Sequence, residues 1–109
     1  MRVSQIKPST IGAQNIVRAV RFYREVFDLP AEFGANEAAH LSLHGDQIHF
    51  TLSETPTTVE VLVNDKPIDV ENHFKNYYVE QTQPSEIIDG HTVFHIADFE
   101  GNHIMVVTK

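Results

Sequence analysis

One stretch of this sequence occurs twice, and it limits the fold more than any other feature. Gly45-Asp-Gln-Ile-His-Phe-Thr-Leu52 and Gly101-Asn-His-Ile-Met-Val-Val-Thr108 each leave a glycine turn and continue as a strand, 56 residues apart in a chain of 109. An offset of about half the chain is what a degenerate internal duplication leaves behind, and a unit that cannot bury its own apolar face must pack against its copy. A chain of this length forms one domain and buries roughly two thirds of its unfolded surface without a staple.

The hydrophobic pattern gives each half the same order: strand, helix, then several strands. Val3, Ile6 and Ile11 are interrupted by Pro8, so residues 3–13 read as an edge strand or two short strand pieces. Asn15 is placed to cap a helix in which Ile16, Ala19, Val20, Tyr23, Val26 and Phe27 share one face, with Arg18, Arg21 and Glu25 opposite; it ends near Asp28, ahead of Pro30.

Residues 37–44 read either as a helix carrying His40 and His44 one turn apart, a spacing suited to a metal, or as a strand. The turn signal Gly45-Asp46 and the alternation of Gln47 to Leu52 favour the strand. A hairpin about Gly45-Asp46 sets His44 opposite Gln47, Ser42 opposite His49 and His40 opposite Thr51. All six then share one face, while Leu41, Leu43, Ile48, Phe50 and Leu52 take the other, beneath a helix.

After a break at residues 54–57, Val59, Val61 and Val63 form a strand, and Asn64 to Pro67 open a turn or helix start. Val70, Phe74, Tyr77 and Tyr78 mark a second amphipathic helix, with at least one tyrosine packed on its face. Pro84 reads as a break and Ile87-Ile88 as a short strand. His91 to Ala97, the turn Asp98 to Asn102 and His103 to Thr108 complete the chain.

Composition removes several functions. Without cysteine there is no disulfide, thiolate zinc site, iron–sulfur cluster or Cys nucleophile. Fifteen acids against eight Lys and Arg repel nucleic acid and anionic membranes, and Arg18, Arg21 and Arg24 lie only along one helix. No apolar run resembles a signal peptide or a membrane span, so a soluble cytoplasmic protein is expected. The serines lack a nucleophile elbow, and the glycines are too scattered to cradle phosphate.

Two segments carry a resemblance. Phe22-Tyr-Arg-Glu-Val-Phe-Asp-Leu29 is similar to a helix-ending FYxxxLGL pattern, and Asp98-Phe-Glu-Gly-Asn-His-Ile104 to a DPDGNxIE turn. Together with two βαβββ modules in about a hundred residues, they make the chain resemble the vicinal oxygen chelate superfamily, which includes glyoxalase I, bleomycin-resistance proteins and extradiol dioxygenases. The resemblance implies an α+β fold in a single domain, residues 1–109. Modules 1–54 and 58–109 would form a half-open mixed sheet barrel with helices outside.

It also implies one site residue on each of four strands, at or near Pro8, His49, Thr58 and Met105, with Gln5 and Glu60 close by. Met105 stands where the turn motif normally brings a Glu, and only His49 suits a metal, so the usual ion is not expected. With strand parity, the concave face carries His40, Ser42, His44, Gln47, His49 and Thr51, then His91, Val93, His95, His103, Met105 and Val107. Of these, Ser42, Gln47, His49, Thr51, His95, His103 and Met105 are the expected ligand-binding residues; no catalytic residue is assigned.

The function that follows is small-molecule binding of the glyoxalase/bleomycin-resistance type, antibiotic sequestration included, in a homodimer without metal, nucleic acid or membrane. The alternative is a lyase, isomerase or dioxygenase in which His49, with His95 or His103 and Gln47 or Glu60, holds Zn, Ni, Fe or Mn. A metal-free acid/base role for His49 and a pure interaction module are further options.

The formal charge of −7 is balanced if all seven histidines take up protons. Solubility is therefore expected to fall between about pH 6 and pH 5. A solubility curve measured from about pH 8 downward checks this, and a flat one contradicts it.

Overall fold

Nine strands and two helices make up the described residues, 1–32 and 40–108, of a computed structural model. Residues 37–39 of the expected histidine strand lie outside them. In the first half, β2 (Thr10–Ala13), α1 (Ile16–Val26), β3 (Ala31–Glu32), β4 (His40–Leu43) and β5 (Asp46–Leu52) form a sheet ordered β2-β5-β4-β3. In the second, β6 (Thr58–Val63), α2 (Pro67–Asn76), β7 (Gln83–Ile88), β8 (His91–Ala97) and β9 (His103–Val107) form the order β6-β9-β8-β7.

In both halves the first strand runs parallel to the last and the others pair antiparallel. The duplicated βαβββ unit is thus present, and the fold is α+β with two mixed sheets. β1 (Val3–Lys7) is separate: it pairs antiparallel with β6 and so joins the second sheet, Pro8 lying between it and β2. Of the two readings of residues 3–13, two short strands is the one observed. No helix among the described residues is long and apolar enough to cross a membrane.

Each helix covers one face of one sheet. The side chain of Asn15 accepts from the Arg18 amide at 3.0 Å, capping α1 as expected. α1 buries Ala19, Val20, Phe22, Tyr23 and Val26, with the Tyr23 ring 5.4 Å from that of Phe50 on β5. α2 starts on Pro67, whose missing N–H has no role at a helix start, and buries Val70 and Phe74; Phe74 meets Phe94 of β8 edge-on at 6.0 Å. Val59, Val61, Val63, Ile96, Ile104 and Val106 complete that apolar layer. Because strand side chains alternate, the opposite face of each sheet carries the polar residues.

Several expectations need correction. The hairpin turns on His44 and Gly45, with φ of 51° and 86°, and not on Gly45-Asp46, because a two-residue primed turn needs positive φ at both central positions. Leu43 therefore faces Asp46, Ser42 faces Gln47 and Leu41 faces Ile48. A shift of two positions preserves the faces but removes His44, whose Nε2 lies 3.2 Å from the Val3 carbonyl. Leu52, expected beneath a helix, is exposed at the end of its strand, beyond Phe50 and Tyr23.

Tyr77 and Tyr78 lie just past the end of α2, and one of the two, Tyr77, still packs against it, as expected. Tyr77 stacks on His73 at 4.6 Å, and Tyr78, at φ 56°, is 94% exposed. Pro84 breaks nothing: it lies within β7, an edge strand, where a missing N–H is tolerated.

The turn from Asp98 to Asn102 joins the halves. Buried Asp98 accepts from the amides of Glu100 and Asn102 at 2.8 and 2.9 Å, and from the Tyr23 hydroxyl and the Asn102 side-chain amide, each at 2.8 Å. Asn102 also donates to the Gly12 carbonyl at 2.8 Å and accepts from the Thr57 amide at 2.7 Å. At Gly12 itself a Cβ would lie 3.1 Å from Ser53 Cβ and 3.3 Å from the Thr57 hydroxyl oxygen, so a side chain there would crowd the segment that leads to Thr57. Glu100 accepts from the amides of Gln14 and Asn15, at the start of α1, and from Arg18 Nε at 2.7 Å. Burial, with Asp98 alongside, drives the Tyr23 hydroxyl far above its usual range and keeps it a donor.

Asp98→Ala strands several buried donors and is expected to cost on the order of 3 kcal/mol or more in urea unfolding, against about 1–2 kcal/mol for Tyr23→Phe. The hydrogen bond from Arg18 holds the Glu100 carboxyl below its usual range, although burial opposes this. A depressed carboxylate stabilises the fold above its unfolded value, and the gain is lost as pH falls through the folded one. The gap in urea midpoint between wild type and Glu100→Gln should therefore be widest near neutrality and close below about pH 4.

Candidate functional site

The open face of the second sheet gathers titratable side chains. Strand pairing sets His95 beside Met105, Ala97 beside His103, Met105 beside Glu60, Thr58 beside His103 and Lys7 beside Glu60. His95 is only 3% exposed, yet both its nitrogens are engaged. Nε2 lies 3.0 Å from Glu86 Oε1 and Nδ1 lies 2.9 Å from His103 Nε2, the two rings meeting edge-on at 5.1 Å.

Two local features bring these three groups together. His95 and His103 are diagonal neighbours on adjacent antiparallel strands, within reach of long side chains. Glu86 reaches the same face through an irregularity in β7: Gln83 pairs with His95 but Glu86 pairs with Val93, one residue out of step. An extra residue of this kind re-aims the side chains that follow it. The Glu86 carboxyl is half exposed and His103 is exposed, so the chain of hydrogen bonds runs from solvent through a buried imidazole and back to the surface.

The open face of the first sheet carries Ser42, Gln47, His49 and Thr51, with Ser42 opposite Gln47. Buried His40 packs its ring 5.5 Å from that of His49. Thr10 and Gly12 of β2 lie beside His49 and Thr51. Each expected ligand-binding residue thus sits on an open face, in two groups: Ser42, Gln47, His49 and Thr51 on one sheet, His95, His103 and Met105 on the other. Among the described residues no hydrogen bond or ring contact joins the groups. His91 is at the rim, its Nδ1 2.8 Å from the Thr108 carbonyl oxygen.

Donor chemistry at the four positions implied by the resemblance does not fit a divalent ion. Pro8 has no side-chain donor, Thr58 offers a hydroxyl and Met105 a thioether, leaving His49. Among the described residues no three His, Asp or Glu side chains are grouped to hold an ion. A shifted site through His95 would first have to break its bond to Glu86 or to His103.

Glu86 was not foreseen, because a strand irregularity has no clear sequence signal. A cavity of about 610 Å³ between α1 and the segment after α2 was not foreseen either. Phe22, Tyr77, Tyr78, Val79 and Phe99 line it with Arg21, and none of the expected ligand-binding residues does.

No family model matches the chain, and no curated protein matches it by sequence. Solved structures do match. A lactoylglutathione lyase from Agrobacterium tumefaciens is 14% identical, with 91% of this chain and 89% of that one aligned at a TM-score of 0.76. A member of the glyoxalase/bleomycin resistance protein/dioxygenase superfamily from Sphaerobacter thermophilus is 16% identical, covering 92% and 93% at 0.70. A fosfomycin resistance protein from Listeria monocytogenes is 11% identical, covering 92% and 88% at 0.70. At these identities the likeness is one of fold.

Proposed function

We propose that this chain, which has the vicinal oxygen chelate fold, binds a mid-sized, partly aromatic small molecule on its open sheet faces without the ion used by metal-dependent members of that superfamily. One feature carries the reading: the resemblance puts Met105 at, and Pro8 at or near, positions where an ion needs oxygen or nitrogen donors, and neither side chain supplies one. The faces still present what a ligand needs for orientation. Gln47 offers an amide, Ser42 and Thr51 hydroxyls, His49, His95 and His103 imidazoles, and Met105 an adaptable apolar contact.

Antibiotic sequestration is the use we favour, and the charge of −7 draws a cationic ligand. One of the similar structures is a fosfomycin resistance protein, which is consistent with that use. A homodimer, with the first-sheet face of one protomer over the second-sheet face of its partner, would bring the two groups of residues into one hollow. The cytoplasm is the location we propose.

Titration calorimetry with cationic aromatic and glycopeptide ligands is expected to give saturable binding at one site per chain or per dimer; its absence across the panel would refute the reading. Elemental analysis of untagged protein is expected to find no stoichiometric metal. Ni, Zn, Fe or Mn at one per chain, lost in His49→Ala, would instead support a metal-dependent lyase, isomerase or dioxygenase.

A further inference from the structure

We infer that Glu86, His95 and His103 form a proton relay in which His103 Nδ1 takes the proton from the hydroxyl of a bound phenol or enol. The inference rests on the small-molecule reading above and adds the chemistry of the ligand.

Counting donors sets the tautomers. An ionised Glu86 only accepts, so the hydrogen bond at 3.0 Å places a proton on His95 Nε2. The Nδ1 of neutral His95 is then bare, and the 2.9 Å contact requires His103 Nε2 to donate to it. His103 Nδ1 is left with its lone pair, takes no hydrogen bond among the described residues, and belongs to an exposed side chain. A buried imidazole thus dictates the tautomer of an exposed one and leaves a base on the open face.

Proton transfer balances within this set. The ligand O–H bond breaks, its electron pair stays on oxygen, and an N–H bond forms at His103 Nδ1. The proton on His103 Nε2 moves to His95 Nδ1. The imidazolium formed lies against the Glu86 carboxylate at a residue 3% exposed, where opposite charges interact more strongly than in water. His103, neutral again, donates from Nδ1 to the ligand oxyanion, and no further reactant is needed. An imidazole base suits an O–H acid of comparable strength, which favours a phenol or enol over an alcohol.

The surroundings match such a ligand. Thr58, paired with His103, offers a hydroxyl beside the same oxygen. Met105 and Val107, two and four residues further along β9 on the same face, with Leu62 paired to Val107, provide a half-buried apolar strip for an aromatic ring. The other charged or titratable groups on this face are Glu60 and Lys7, which pair on the far side of Met105, and His91, held at the rim by Thr108. α2 packs on the opposite face and contributes none.

The test compares 4-nitrophenol with its methyl ether, 4-nitroanisole, which has no proton to give, at a mildly acidic pH where the free phenol is mainly neutral. Both are expected to bind wild type, and the bound phenol to show phenolate absorption. Glu86→Gln should lower the bound phenolate-to-phenol ratio about tenfold and leave 4-nitroanisole affinity unchanged; His103→Phe should abolish the absorption change. Two-bond nitrogen–proton NMR correlations on free wild type should place the proton on Nε2 of both rings, and Glu86→Gln, able to donate as well as accept, should yield mixed tautomers. Binding of both probes with a phenolate ratio indifferent to both substitutions, or a His103 protonated on Nδ1 when neutral, overturns the relay and leaves the binding reading standing. Binding of neither probe overturns the open-face site along with it.

Discussion

The hydrogen bond from the Tyr23 hydroxyl to Asp98 connects an α1 side chain of the first half to the final turn of the second, and the rest of the architecture depends on the cluster around it. Asp98 closes its own turn through two backbone amides, and Asn102 reaches from that turn to Gly12 and Thr57. Buried polar groups of this kind are stable only when every partner is present, which makes the arrangement specific as well as strong. It also explains physically why an FY-containing helix and an Asp-to-Asn turn occur in one chain: they are two sides of one contact.

With the halves joined this way, alternation along each strand does the remaining sorting. One face of the second sheet is covered by α2 through Phe74 and Phe94, so His95, His103 and Met105 must point the other way. The same rule places His49 and Thr51 opposite Phe50, which packs beneath Tyr23. The chemistry of the open faces is thus a direct consequence of how the core is filled.

Faces were the most legible property. Ser42, Gln47, His49, Thr51, His95, His103 and Met105 were assigned from parity alone, and the hairpin error did not move Ser42, Gln47, His49 or Thr51, because a slip of two positions preserves the side each residue faces. His44 was misplaced because the positive φ that a turn imposes is not encoded by a single glycine's position. Pro84 and the point at which α2 stops, before Tyr77, depart from the local pattern for a related reason: whether a strand is an edge, and where a helix ends, is decided by neighbours absent from the local sequence.

The sequence by itself determined the duplicated βαβββ order, the apolar stripe of each helix and the polar set on each open face, because these follow from the 3.6- and two-residue periods of the backbone. Tertiary structure alone decided that β1 joins the second sheet, that Glu86 shares a face with His95, and that His95 bridges a carboxylate and a second imidazole. Those relations join residues on different strands across a sheet. They depend on register and on one irregular step in β7, which no local pattern of residue types specifies.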